Sequence, residues 1–258
     1  MRSDEASSPT PPAGTGAARE PLVLTGERTL PGITEETYWF CRHLAGYRWA
    51  LETVEAATVG TTSILDSGCG EGYGTAELAR GSRPGTVVVG VDAFADAARH
   101  AATTYDEAAF VCADAARLPF ADGSFDVVVS LQVIEHLPDP SRYVAECARV
   151  LRGGGVLACA TPNRLTFTPP GRPKNPFHVV EFSGSELADL LGTHMREVEV
   201  SALGDSHPGL ADALIDAAFA GIAPPARAAA TVPTVTPADF SVHDDVDAGL
   251  DLLARCLR

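Results

Sequence analysis

The densest chemical signal in the chain is the run Asp66-Ser-Gly68-Cys-Gly70-Glu-Gly72-Tyr-Gly74, which follows a short aliphatic stretch and opens a helix-like one. Glycines at 68, 70 and 72 permit a tight strand-to-helix turn and let the backbone approach a ligand with no Cβ in the way. Asp92 stands 20 residues beyond Gly72, at the end of the next aliphatic run, where a carboxylate can accept both hydroxyls of a ribose. Together these features predict a bound nucleoside. The dinucleotide spacing G-x-G-x-x-G fails in every register, because positions 73, 75 and 77 are Tyr, Thr and Glu, which disfavours a nicotinamide oxidoreductase. Asp66 at the head of the turn is unhelpful beside a pyrophosphate but suits a ligand that carries an ammonium group. S-Adenosylmethionine has that ammonium, a sulfonium and no phosphate.

Two histidines are candidates for proton transfer. His136 follows the fourth aliphatic run, and an imidazole there can take a proton from a hydroxyl as its oxygen attacks the sulfonium methyl in line. Its alternative role is to bond the turn before Pro138, and Glu135 is expected to anchor the same turn. His178 lies in a Pro- and Arg-rich loop as a base, a substrate hydrogen-bonder or a staple of the loop. Arg164, Arg172 and Lys174 make that loop locally basic, which suits either a solvated loop or an acidic acceptor. Tyr38, Trp39 and Phe40 are consecutive, so a helix cannot turn all three to one core. At least one is expected to cover the cofactor or stack on an acceptor ring. The six cysteines are scattered singly, with no C-x-x-C pair and no His at zinc-ligand spacing, so neither disulfides nor a structural metal is predicted.

The elements that must position these residues follow from composition and periodicity. The chain has 258 residues with 19 basic and 34 acidic, a net charge of −15, and Lys174 is its sole lysine. That balance excludes the basic stripe of a nucleic-acid binder. No apolar stretch approaches the roughly 18 residues of a membrane span, so no membrane insertion and a cytoplasmic location are expected. Residues 1–21 read as a disordered tail and 22–258 as one domain, with a helical cap over 33–58 in which Thr34 is the candidate N-cap. Aliphatic runs at 63–66, 86–92, 109–114, 125–131 and 155–160 alternate with helix-like segments. Runs such as Val127-Val128-Val129 are apolar on both pleat faces, as in parallel strands covered on both sides. The fold class is therefore α/β, a Rossmann-like doubly wound sheet, mostly parallel with an antiparallel last strand. Asp139-Pro140 predicts a helix start, Gly153-Gly154-Gly155 its stop, and Ser183 to Glu186 a capping box. Residues 161–182 form the expected acceptor loop and 205–240 a helical insertion, within a stretch (205–251) whose eight Asp read as a solvated surface.

Taken as a set, Asp66-x-Gly-Cys-Gly-x-Gly, Asp92, Asp114-Ala115 and Phe125-Asp-Val-Val-Val-Ser-x-x-Val-Ile-Glu-His136 resemble the class I S-adenosylmethionine-dependent methyltransferases, of the group that includes ubiquinone-biosynthesis enzymes, across about residues 60–165. The resemblance implies S-adenosylmethionine as cofactor. It places Asp66 and Gly68 near the methionyl end, Asp92 on the ribose, Asp114 on the adenine amine and Ser130-Leu131 as backbone contacts, with Gly70, Gly72, Ala93 and Ala115 also at the cofactor. Ser67 departs from the aliphatic residue usual there. Metal-dependent RNA-end relatives are built on Glu-x-x-Glu-His, and here the first Glu is Gln132, so no metal is expected. The flanking Leu24 to Pro31, Tyr38-Trp-Phe, Arg42-His43, Thr161 to Phe167 and Asn175-Pro-Phe-His178 are similar to an actinobacterial group linked to methylglucose lipopolysaccharide assembly. That narrower resemblance implies a sugar hydroxyl as acceptor, with Tyr38, Trp39, Arg164, Asn175 and His178 at the acceptor. A quinone or phenolic acceptor, and a cofactor-binding protein without catalysis, remain open from the residues. The oligomeric state is not legible.

Overall fold

The computed structural model describes residues 29–57, 60 and 63–258. The expected tail over 1–21 and the part of the flanking motif before Thr29 lie outside the described residues. Five parallel strands carry the nucleoside motifs: β1 (Ser63–Ser67), β2 (Val87–Asp92), β3 (Ala109–Cys112), β4 (Phe125–Leu131) and β5 (Leu151–Pro162). Beyond β5 the sheet continues antiparallel through β8 (Asp251–Leu257), β6 (Glu197–Asp205) and β7 (Phe240–His243), giving the order β3-β2-β1-β4-β5-β8-β6-β7. Alternation along β4 explains why both faces are covered. Val127 and Val129 enter one apolar cluster and Val128 the other. Strand order reverses between β1 and β4, which opens a crevice at the carboxyl ends of these strands.

On one face, α1 (Thr37–Ala57) packs with α7 (Leu210–Ala220) and α8 (Ala226–Thr231). The opposite face is covered by α4 (Pro140–Val150) and α6 (Gly184–Gly192). The helix α2 (Tyr73–Gly81) follows the glycine turn, α3 (Ala95–Thr104) follows β2, and the short α5 (Arg164–Phe167) follows β5. The start signals act as expected: Asp139 Oδ1 accepts the Arg142 N–H at 3.0 Å, and Ser183 and Glu186 form a reciprocal capping box.

Three expectations are corrected. Thr34 opens a short 3-10 turn, and α1 begins at Thr37, whose hydroxyl donates to the Thr34 carbonyl at 2.9 Å. The triple glycine does not stop α4, which ends at Val150; the glycines lie inside β5, where the pairing with β4 shifts register and Gly154 takes φ +80°. The insertion over 205–240 is helical, but its end begins a third strand of the antiparallel region, β7, whose four residues are too few to display a period in sequence.

Candidate active site

The turn after β1 lines a cavity of about 480 Å³ at the crevice. Gly68 adopts φ +83°, and a Cβ there would stand 2.3 Å from Val133 Cγ2, so the close approach of two loops requires glycine. Asp92, at the end of β2, clamps the turn: its Oδ2 accepts the Gly70 N–H at 3.0 Å and its Oδ1 the Phe94 N–H at 2.8 Å. Gly68, Gly70, Asp92, Ala93, Asp114, Ala115 and Leu131 all line this cavity.

Three expected cofactor residues are not among those lining this cavity. Asp66 is fully buried beneath the turn, where it accepts the Thr75 hydroxyl at 2.6 Å and the Tyr47 hydroxyl at 3.2 Å. Burial pushes its carboxyl up to about 7, which the Thr75 and Tyr47 hydrogen bonds oppose and Asp92 reinforces. Asp66 thus holds the turn from behind and is not among the residues that line the cavity. Gly72, at φ +92°, gives the helix its left-handed entry, and the Ser130 hydroxyl is buried, accepting from Tyr143 at 2.8 Å. Glu71, between two glycines of the turn, also lines the cavity, and no spacing argument singled it out. Phe94, Tyr47 and Tyr73 line the same wall.

A second cavity, of about 190 Å³, adjoins the first; Thr29, His43, Gln132 and His136 line both. Trp39, Asn175 and His178 line it, together with Phe167 and Arg42. Tyr38 and Arg164 do not. Tyr38 points into the core and its hydroxyl bonds Asp205, because Trp39 takes the cavity side of α1. Arg164 reaches away from the cavity to Glu186 at 2.7 Å. The loop's other cations are likewise engaged: Arg172 bonds Asp212 and Asp216 at 2.8 Å each, and Lys174 donates to the Val179 carbonyl. These pairs also correct the reading of the Asp-rich stretch as mere solvated surface.

Asp251 shows the strongest departure from it. The Arg42 and Asp251 side chains are 5% and 2% exposed and form a bidentate ion pair, with Arg42 Nε at 2.7 Å from Asp251 Oδ2. The guanidinium carbon lies 5.4 Å from the Trp39 ring centroid and 5.7 Å from that of Phe167. Gln132 joins this network, accepting from Arg42 at 3.2 Å and donating to Asp251 at 3.1 Å. Its backbone stands at φ +58°, a left-handed conformation uncommon outside glycine, at the junction of the two cavities. Beside it, burial lowers the His43 pKa to about 3, aided by Arg42, so that imidazole is neutral and bonds the Tyr73 hydroxyl at 2.8 Å.

Glu135, His136 and His178 converge on the wall of the second cavity. His136 Nδ1 donates to the Phe177 carbonyl at 3.2 Å, and the two imidazole centroids are 5.1 Å apart. His178 Nδ1 donates to Glu181 Oε1 at 2.7 Å, while Asn175 Nδ2 donates to His178 Nε2 at 3.1 Å. Glu135 is fully buried, its Oε2 accepting from Thr161 at 2.8 Å and its Oε1 lacking a hydrogen-bond partner. Burial raises its pKa, against the pull of both imidazoles.

The larger cavity suits a cationic nucleoside. Glu71, Asp92 and Asp114 stand in its wall, and among the described residues no Lys or Arg does, the reverse of what a pyrophosphate requires. Fold and donor set define a Rossmann-like site for an ammonium- and sulfonium-bearing cofactor. The Methyltransferase domain family matches residues 65–159. A Mycobacterium tuberculosis protein described as a "Probable S-adenosylmethionine-dependent methyltransferase" is 41% identical over 96% of this chain and 94% of its own. A Mycolicibacterium smegmatis protein of the same description is 41% identical over 92% of this chain and 95% of its own. A Caulobacter vibrioides ubiquinone biosynthesis O-methyltransferase is 35% identical over 48% of this chain and 50% of its own. Among solved structures, an S-adenosylmethionine-dependent methyltransferase of Thermotoga maritima shares the fold at TM-score 0.61 and 21% identity, over 86% of this chain and 94% of its own. The chain belongs to the class I S-adenosylmethionine-dependent methyltransferases, and S-adenosylmethionine is its cofactor. A binding protein without catalysis, left open by the residues alone, is set aside.

Proposed function

We propose that the chain, one catalytic domain over 22–258, transfers the methyl group to a hydroxyl of a carbohydrate, in the cytoplasm and on a sugar of an intracellular polysaccharide. One observation carries this reading. The second cavity combines the aromatic faces of Trp39 and Phe167 with a dense polar wall, and it shares His136 with the cofactor cavity. A sugar ring offers C–H faces to the aromatic surfaces and hydroxyls to the polar groups, whereas a quinone calls for a flat apolar slot. At about 190 Å³ the cavity is small against sites for larger ligands and suits a single ring. The resemblance of the flanks to the methylglucose lipopolysaccharide group supports the same acceptor.

When bound, the cofactor supplies an already activated methyl group, so the protein's work is chiefly to align the acceptor and exclude water. Asp92 holds the ribose hydroxyls and Asp114 the adenine amine, while Glu71 faces the cationic end. Trp39, Asn175 and Phe167 orient the acceptor. The cluster of His136, His178 and Glu135 promotes loss of the hydroxyl proton.

Labelled S-adenosylmethionine incubated with fractionated acceptors tests the proposal. Label in oligosaccharides with none in phenolic or lipid fractions is expected. Transfer confined to phenolic or quinone fractions would overturn it.

A further inference from the structure

We propose that Glu135, His136 and His178 bind a divalent first-row transition ion in the wall of the acceptor cavity. Each of the three offers one ligand atom, and these atoms lie within 4.8 Å of one another. An ion with bonds of about 2.1 Å needs such atoms roughly 3 to 3.5 Å apart, a contraction within reach of small side-chain rotations. The Glu135 to His136 separation is already 3.8 Å.

The surroundings are those of ligands held ready. Both imidazoles use Nδ1 to donate to a fixed acceptor, the Phe177 carbonyl for His136 and the Glu181 carboxylate for His178. That arrangement leaves Nε2 as the lone-pair atom of each neutral ring, and a carboxylate behind an imidazole raises its basicity as a ligand. The third ligand, Glu135, is fully buried with Oε1 lacking a hydrogen bond, a costly arrangement unless something cationic meets it. Two imidazoles and one carboxylate suit manganese, iron, cobalt or zinc better than magnesium or calcium, and they leave coordination positions open. The Asn175 amide, which donates to His178 Nε2, would have to yield.

The sequence argument against a metal rested on Gln132. The Gln132 amide is spent on Arg42 and Asp251, and the proposed ion draws on Glu135, His136 and His178 without it.

In this position the ion deepens the proposed reaction and rests on that reading for its role. All three residues line the acceptor cavity, and His136 borders the cofactor cavity too. An acceptor hydroxyl on the ion becomes more acidic and loses its proton to water. The oxygen lone pair forms the O–CH3 bond, and the electrons of the breaking S–CH3 bond stay on sulfur. No oxidant or reductant is required.

The test uses the full-length protein, stripped with EDTA, dialysed and titrated with Mn2+ alone, with free ion followed by electron paramagnetic resonance. One Mn2+ per chain is expected. Glu135→Gln, His136→Ala and His178→Ala should each weaken binding by about tenfold or more, and Glu181→Gln by about 10- to 100-fold through the imidazole it supports. S-Adenosylhomocysteine affinity reports that each variant is folded, and at least Glu135→Gln, nearly isosteric, should retain it. Absence of stoichiometric Mn2+ binding by the wild type, or equal binding by folded variants, would overturn the site. Full methyl transfer to oligosaccharide by ion-free protein would do so as well, leaving the imidazoles as the base and the carbohydrate reading intact. Conversely, one ion per chain with label only in phenols would overturn the acceptor and leave the metal site standing.

Discussion

The two halves of the crevice are built differently. The cofactor half is assembled from neighbours in sequence: Asp66 reaches Thr75 nine residues on, and Asp92 clamps Gly70 across 22 residues. The proposed acceptor half is framed by distant partners, Arg42 with Asp251 across 209 residues and, in the core behind it, Tyr38 with Asp205 across 167. Backbone geometry defines the first, and long-range side-chain pairing defines the second. A family with this division can keep one cofactor while changing acceptors, because the acceptor wall comes from the first helix, the loop after β5 and the insertion.

The junction should respond most. His136→Ala is expected to lower turnover by about 10² to 10⁴ while S-adenosylhomocysteine affinity stays nearly unchanged. Parallel losses of turnover, affinity and melting temperature would instead make His136 a structural residue shared by both halves. Next comes the acceptor frame. Asp251→Ala strands a buried guanidinium and should cost about 3–5 kcal/mol by urea unfolding, whereas the paired change Arg42→Met with Asp251→Leu should cost far less. Equal costs would mean that shape and not charge holds that half together.

These long-range pairs also explain what the sequence could not disclose. Glycine spacing, the caps at Asp139 and Ser183 and the apolar runs are local, and the sheet and glycine turn were legible from them. An aspartate at the head of a glycine turn looks the same whether it meets a ligand or, as Asp66 does, braces the turn from below through Tyr47 and Thr75. Nothing local distinguishes Asp251, buried against Arg42, from the exposed acids around it. Tyr38 and Trp39 differ only in which side of α1 they occupy, and the core under Phe240 decides that.

Asp66 sharpens the comparison through pH. Its carboxyl is pushed up to about 7 from an ordinary 3.8 by burial. Between those values the folded chain keeps a proton that the unfolded chain has released, so stability should fall as pH rises across the window and level off above it. The drop is on the order of 4 kcal/mol, and Asp66→Asn should remove that slope in urea unfolding across the same range. An unchanged slope would place the titration elsewhere. The smallest effect belongs to Arg164→Ala. Its ion pair with Glu186 is exposed and off the cavity, so stability should change by at most about 0.5 kcal/mol, with acceptor KM unaltered. A large KM change would restore Arg164 to the acceptor site.

The division between halves is tested most directly at Trp39, which lines the acceptor cavity and not the cofactor cavity. For Trp39→Ala, calorimetric titration of S-adenosylhomocysteine beside methyl-transfer kinetics on oligosaccharide should show unchanged cofactor affinity. The acceptor KM should rise by about tenfold or more, the scale of losing a buried aromatic contact. Collapse of cofactor affinity with an unchanged acceptor KM would contradict the account.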